Sequence, residues 1–167
     1  MIVVVMGVAG SGKSTIGRAA AERLGWAFAD ADAHHPPANI AKMARGQPLD
    51  DADRWPWLDR LRSIVETASA ERRPLILACS ALKRAYRERL RAPGAALRFV
   101  FLQGDPALIR QRLRARSGHF ASADLLDSQL AALEPPEDAL ALDVSAPSER
   151  LVERVVAFCT QQAAARA

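Results

Sequence analysis

The eight residues Gly7, Val8, Ala9, Gly10, Ser11, Gly12, Lys13 and Ser14 fit the pattern G-x-x-x-x-G-K-[ST] at every fixed position. They follow directly on the apolar run Ile2–Met6, and a helix-compatible stretch comes next, which is the context this pattern requires. The chemistry it serves is polyphosphate binding. Glycines let the backbone wrap closely round an anion with its N–H groups turned inward. The following helix adds the partial positive charge of its N-terminus. In this arrangement Lys13 reaches the β- and γ-phosphates of a nucleoside triphosphate and the Ser14 hydroxyl ligates Mg²⁺, with Thr15 closing the nucleotide-binding set.

A phosphate loop alone does not say where the phosphoryl group goes. Asn39 is the sole asparagine, so the guanine-reading motif N-K-x-D is absent. No aspartate ends the run 75–79, where many ATPases keep their magnesium-supporting carboxylate. Asp30 and Asp32 offer the best replacement. Alternation along an extended chain would point both carboxylates the same way, one toward metal-bound water and one toward an acceptor hydroxyl. Turn forming and capping are the alternative for such a pair. Arg112 and Arg116 stand one helical turn apart and suit a bidentate clamp on β- and γ-phosphates, or else a solvated face. Arg110 and Arg114 share roughly the opposite face and suit solvent or salt bridges.

These residues need a scaffold. Apolar runs at 2–6, 26–29, 75–79, 97–102 and, more weakly, 139–144 read as strands. Helical spacing fills 13–24, 37–45, a stretch from about 51–53 carrying Leu58, Leu61, Ile64, Val65 and Ala68, then 82–91, 106–116, a stretch through 133, and a terminal helix opened by Pro147. Residues 117–123 read as a loop. Strands alternating with helices predict one α/β domain over residues 1–167, with a parallel sheet of about five strands between two helical layers. The nucleotide then lies at the carboxyl ends of the strands.

Half of the 167 residues are hydrophobic, a quarter are charged and the net charge is +4. No apolar run approaches the roughly 20 residues that span a bilayer, and the chain enters its first strand without a leader, which predicts a cytoplasmic protein. Cys79 and Cys159 are too few for a disulfide framework and are expected to pack in the core. Aromatics are only 5% and are not interleaved with the arginines, which argues against nucleic acid as partner.

The segment running from Asp30, Asp32, His34, His35 and Pro36 through Asn39, Lys42, Gly46, Pro48, Asp50, Asp51, Asp53, Arg54, Pro56 and Trp57 resembles the substrate-side signature of gluconokinases. Cys79-Ser80-Ala81-Leu82-Lys83-Arg84 resembles that family's segment after the third strand, where shikimate kinases carry three glycines. Arg112, Arg116, Gly118, His119 and Phe120 resemble its lid, and Gln129, Leu133, Glu134, Pro135 and Pro136 the stretch beyond it. The resemblance covers nearly the whole chain in family order.

What the resemblance implies is ATP-dependent phosphorylation of D-gluconate at its terminal hydroxyl, giving 6-phospho-D-gluconate. The implied fold is a P-loop small-molecule kinase, nucleoside-monophosphate-kinase-like, with a lid at about 117–124, a substrate-side helical segment at about 34–70, and a homodimeric assembly. The resemblance makes Lys13, Asp32 and Arg116 catalytic and adds Arg112 and Arg116 to the ATP-binding set. Asp30 becomes a water-mediated Mg²⁺ ligand. Asp32, His35, Arg54, Ser80, Lys83, Arg87 and His119 become substrate-side residues, with capping open for His35 and a solvated face open for part of the basic group Lys83, Arg84 and Arg87. Around Ser145 the chain lacks a second acidic residue that relatives carry, which leaves the adenine contacts open.

Overall fold

The computed structural model describes residues 1–115 and 123–165. In chain order the elements are β1 (Ile2–Met6), α1 (Lys13–Leu24), β2 (Ala27–Asp30), a 3₁₀ turn (Ala31–His34), α2 (Pro37–Ala44), α3 (Asp51–Ala70), β3 (Leu75–Ala78), α4 (Arg84–Leu90), β4 (Leu97–Gln103), α5 (Pro106–Ala115), α6 (Ala123–Ala132), β5 (Ala139–Asp143) and α7 (Ser148–Ala164). The strands form one sheet in the order β2-β3-β1-β4-β5, and every pairing is parallel.

The central strand shows why an unbroken apolar run was needed. Ile2, Val4 and Met6 pack on one face with Trp57, Leu61 and Val65 of α3. Val3 and Val5 pack on the other with Ile16 and Ala20 of α1 and Val155 of α7. All five residues of β1 are buried, so period-2 alternation serves two cores at once. Gly17 lets α1 approach the sheet, since a Cβ there would stand 3.2 Å from the Phe28 ring and 3.4 Å from Ile76.

Element types agree with the sequence expectations, and ends differ by one or two residues. β2 runs one residue further, because Asp30 still pairs with Ala78. α4 starts two residues later, because Leu82 and Lys83 stay in a loop tied to the site. α3 starts cleanly at a capping box: Asp50 accepts from the Asp53 N–H, and the Asp53 carboxylate accepts from the Asp50 N–H.

Parallel strands put their carboxyl ends on one edge. Gly7, Asp32 and Ser80, which follow β1, β2 and β3, therefore meet there. Among the described residues no helix is long and apolar enough to cross a membrane.

Candidate active site

The phosphate loop is fixed by backbone conformation more than by side chains. Gly7 has φ +146°, and a Cβ there would lie 2.6 Å from the Leu102 carbonyl oxygen at the end of β4. Gly10 has φ +79°, and its Cβ would meet Leu113 of α5 at 2.6 Å. Only glycine lets the loop sit this close to both elements. The Lys13 ammonium donates to the Val8 carbonyl at 2.9 Å, which keeps it inside the loop's own arc. Ser11 is 1% exposed, and its Oγ has no partner among the described residues. A buried hydroxyl without a protein partner, in a loop of glycine-enabled N–H groups, fits a ligand rich in acceptor oxygens.

The residues also fit Mg²⁺. Ser14 sits in the first turn of α1, half-buried. Among the described residues no three His, Cys, Asp or Glu side chains gather to hold a metal. A hydroxyl beside a phosphate-binding loop is the kind of oxygen donor that suits a magnesium ion taking most of its ligands from phosphate and water.

The Asp30 and Asp32 carboxylates differ from the extended-chain expectation. After Asp30 the chain enters the 3₁₀ turn, and the Asp30 carboxylate accepts from the Asp32 N–H at 3.1 Å. Asp30 thus caps the turn that carries Asp32, and strand alternation no longer relates the two side chains. The turn is pinned to α3 from behind, because the Trp57 indole N–H donates to the Ala31 carbonyl at 2.8 Å. His35 stacks on the same Trp57 with ring centroids 4.3 Å apart and planes at 12°. Burial pulls the His35 pKa down; Asp32 opposes this and Arg54 adds to it. The ring is therefore neutral at pH 7, with Nδ1 facing the Asn39 amide at 3.4 Å. Asn39 in turn donates to the Asp53 carbonyl at 2.9 Å.

The loop after β3 carries a backbone signature of its own. Ala81 is fully buried at φ +43°, a conformation an alanine holds only when its surroundings enforce it. Arg87 supplies the enforcement: it is 6% exposed, and its Nη1 donates to the Ala81 carbonyl at 3.1 Å and the Leu82 carbonyl at 3.0 Å. Its guanidinium is turned to that loop and does not line the cleft described next. Ser80 joins the two loops, its carbonyl accepting from the Gly7 N–H at 3.4 Å. The Cys79 thiol is buried and pushed up to about 12, so it is a packing residue.

Beside this loop opens a cleft of about 510 Å³ whose lining includes Leu49, Asp51, Arg54, Lys83, Tyr86 and Gln129. Asp51 anchors it. Its carboxylate accepts from Lys83 at 2.7 Å and from the Tyr86 hydroxyl, and both hydrogen bonds hold its pKa low. Arg54 lies 5.6 Å over the Tyr86 ring and makes no salt bridge among the described residues.

Gln129 connects the cleft to the phosphate loop, its Oε1 accepting from the Ala9 N–H at 2.6 Å. Arg112 donates to the Val144 carbonyl at 2.7 Å, beyond β5. Arg110, on the opposite face of α5, pairs with Asp127. Arg116, His119 and the lid residues 117–122 lie outside the described residues. Sequence reasoning gave no role to Asn39, Asp51, Tyr86 or Gln129, none of which belongs to a short motif with a known mechanism, although Asn39 and Asp51 stand in the substrate-side signature. For Gln129 the signal was its place in the stretch beyond the lid.

A family profile described as an AAA domain matches residues 2–136. The gluconokinase of Gluconobacter oxydans (strain 621H) is 50% identical over 140 residues, covering 81% of this chain and 76% of that protein. The thermoresistant gluconokinase of Escherichia coli (strain K12) is 41% identical over 159 residues, covering 93% of this chain and 91% of that protein. The crystal structure of a gluconokinase from Sinorhizobium meliloti 1021 superposes with a TM-score of 0.85 at 46% identity, covering 95% of this chain and 91% of the other.

Proposed function

The chain belongs to the gluconokinase family, and on that premise we propose which residues carry the phosphorylation of gluconate by ATP. The reading treats residues 1–167 as one kinase domain, with the lid at about 117–124 and the substrate-side helical segment at about 34–70. The observation that carries it is the cleft bearing Arg54 and Lys83, one of whose lining residues, Gln129, accepts a hydrogen bond from the phosphate loop. A sugar acid needs such a pair of neighbours: a cation for its carboxylate, and a triphosphate within reach of its far hydroxyl.

In the proposed reaction the terminal hydroxyl oxygen of D-gluconate attacks the γ-phosphorus of ATP. The bond from that phosphorus to the β–γ bridging oxygen breaks, giving 6-phospho-D-gluconate and ADP. The transition state is loose, so placement and charge neutralisation matter more than basicity. Asp32 orients the hydroxyl and takes its proton. Lys13 neutralises the β- and γ-phosphate oxygens, and N–H groups from Gly7 to Thr15 cradle the chain of phosphates. Mg²⁺, when bound, neutralises further phosphate charge; Ser14 would hold it directly and Asp30 through water. Arg116, with Arg112 once exchanged from the Val144 carbonyl, clamps the transferring group.

On the acceptor side Arg54 is the leading partner for the carboxylate, because Lys83 already shares its charge with Asp51. Ser80, His35 and His119 supply hydroxyl contacts, and Arg87 acts by holding the loop that presents Ser80 and Lys83. The reading extends to a homodimer, which rests on the family resemblance and is testable by light scattering. It also places the enzyme in the cytoplasm, where ATP is supplied and thiols such as Cys79 and Cys159 stay reduced.

The test is ADP production from Mg·ATP alone, then with D-gluconate, shikimate and AMP separately. Stimulation by gluconate alone is the expected result. Stimulation by another of the three would overturn the acceptor, and no stimulation with ATP still bound would overturn the reaction.

A further inference from the structure

Gln129 hydrogen-bonds to the phosphate loop and also lines the cleft proposed for the acceptor. It sits half-buried on α6, whose Leu126 is fully buried in the core and fixes the helix against the sheet. The chain just beyond α6 is fixed as well, since the Glu134 N–H donates to the Leu82 carbonyl at 3.0 Å and its carboxylate accepts from the Arg84 N–H. One short stretch therefore holds the phosphate loop at residue 129 and the loop after β3 at residue 134.

The orientation of the Gln129 amide follows from its partner. A backbone N–H can only donate, so the atom facing Ala9 must be the carbonyl oxygen. The –NH₂ is then on the opposite arm, with two donors. An oxygen bound to that –NH₂ lies about 6–7 Å from the Ala9 nitrogen, from the usual hydrogen-bond lengths laid out across a planar amide. That is the end of the cleft where the reacting hydroxyl of a sugar acid has to be, with its carboxylate at the Arg54 end.

We propose that Gln129 is an acceptor-binding and positioning residue: its Oε1 holds the Ala9 N–H of the phosphate loop, and its Nε2 donates to a hydroxyl oxygen of gluconate beside the transferring phosphate. The proposal rests on the gluconate reading above. It makes the amide a gauge between the two substrates, because loop and acceptor are fixed to opposite arms of one rigid group.

Two variants separate the arms. Gln129→Met keeps the length of the side chain and removes both hydrogen bonds. Gln129→Glu keeps an acceptor for Ala9 and removes both donors. The readouts are amide hydrogen exchange at Ala9 and steady-state kinetics in gluconate, with circular dichroism confirming the fold. The expected pattern is faster Ala9 exchange in Gln129→Met, by at least about tenfold, and protection retained in Gln129→Glu. The KM for gluconate rises in both, roughly three- to tenfold in Gln129→Met and more in Gln129→Glu, where the amide is replaced by an anion.

A gluconate KM within about twofold of wild type in Gln129→Glu would overturn the donor role, since lost donors cost more than that. Unchanged Ala9 exchange in Gln129→Met would overturn the loop contact. A residue that only supports the fold would change exchange in both variants and leave the gluconate KM alone. Should Gln129→Met fail to fold, Gln129→Glu still decides the donor role. Wild-type enzyme that ignores gluconate would sink the parent reading and this proposal together, whereas normal wild-type turnover with unaffected variants would sink this proposal alone.

Discussion

The phosphate loop and the cleft proposed for the acceptor are both built at the carboxyl edge of the same sheet, by opposite means. The loop is one contiguous stretch whose shape is set by backbone conformation, with glycines required by contact distances. The cleft draws side chains from α3, the loop after β3, α4 and α6, and Asp51, Lys83, Tyr86 and Gln129 among them are held by partners far away in sequence. Local backbone geometry and dispersed side-chain geometry respond differently to mutation. The first fails when one Cβ is added; the second degrades one contact at a time.

The largest effect expected on the loop side is from Gly7→Ala. Its Cβ would meet a backbone carbonyl at 2.6 Å, with φ at +146° besides. Strain of this kind costs about 1–3 kcal/mol before the clash is counted, and affinity for a non-hydrolysable ATP analogue should fall more than about a hundredfold. Binding within about threefold of wild type, measured by calorimetry, would break the contrast between the two regions. Next comes Asp32→Asn, which should keep ATP binding and lose at least about a hundredfold in turnover, the lower scale for a positioned base. Near-normal turnover would remove Asp32 from the chemistry.

Within the cleft the two cations should separate. Arg54→Met should raise the KM for gluconate about ten- to a hundredfold, the scale of a hydrogen-bonded charge pair. Lys83→Met should raise it only about threefold, because Asp51 already shares that ammonium. The reverse order would reassign the carboxylate to Lys83.

A smaller effect is expected from His35. Burial holds its folded pKa below the ordinary 6.5, so the unfolded chain binds a proton that the folded chain resists. Stability is whole above that value and is lost as the pH falls from there through the lower folded pKa. The Tm should drop between about pH 7.5 and about pH 5.5, and His35→Gln should flatten the slope. The smallest effect concerns Cys79 and Cys159, whose thiols are both pushed up to about 12 by burial. Neither should react with a thiol reagent at neutral pH until denaturant is added.

The sequence by itself determined the loop, the strands and the layer architecture. Each of these is written in neighbouring residues: a glycine pattern, an unbroken apolar run, an apolar stripe at helical spacing. Even the wide family signature is a linear pattern, and it brought His35, Arg54 and Lys83 into consideration beside Asp32. Tertiary structure alone decided what those residues touch. Alternation suggested that Asp30 and Asp32 point together, but the chain turns at Asp30 and the first carboxylate caps the second residue. Arg87 was expected among the substrate-side residues, yet burial directs its guanidinium to two loop carbonyls. Asp51 and Gln129 gained their places through partners 32 and 120 positions away. Backbone torsions are set by near neighbours and can be read from a string. Side-chain partnerships across a sheet edge are set by which elements the fold brings together, and they appear only when it has.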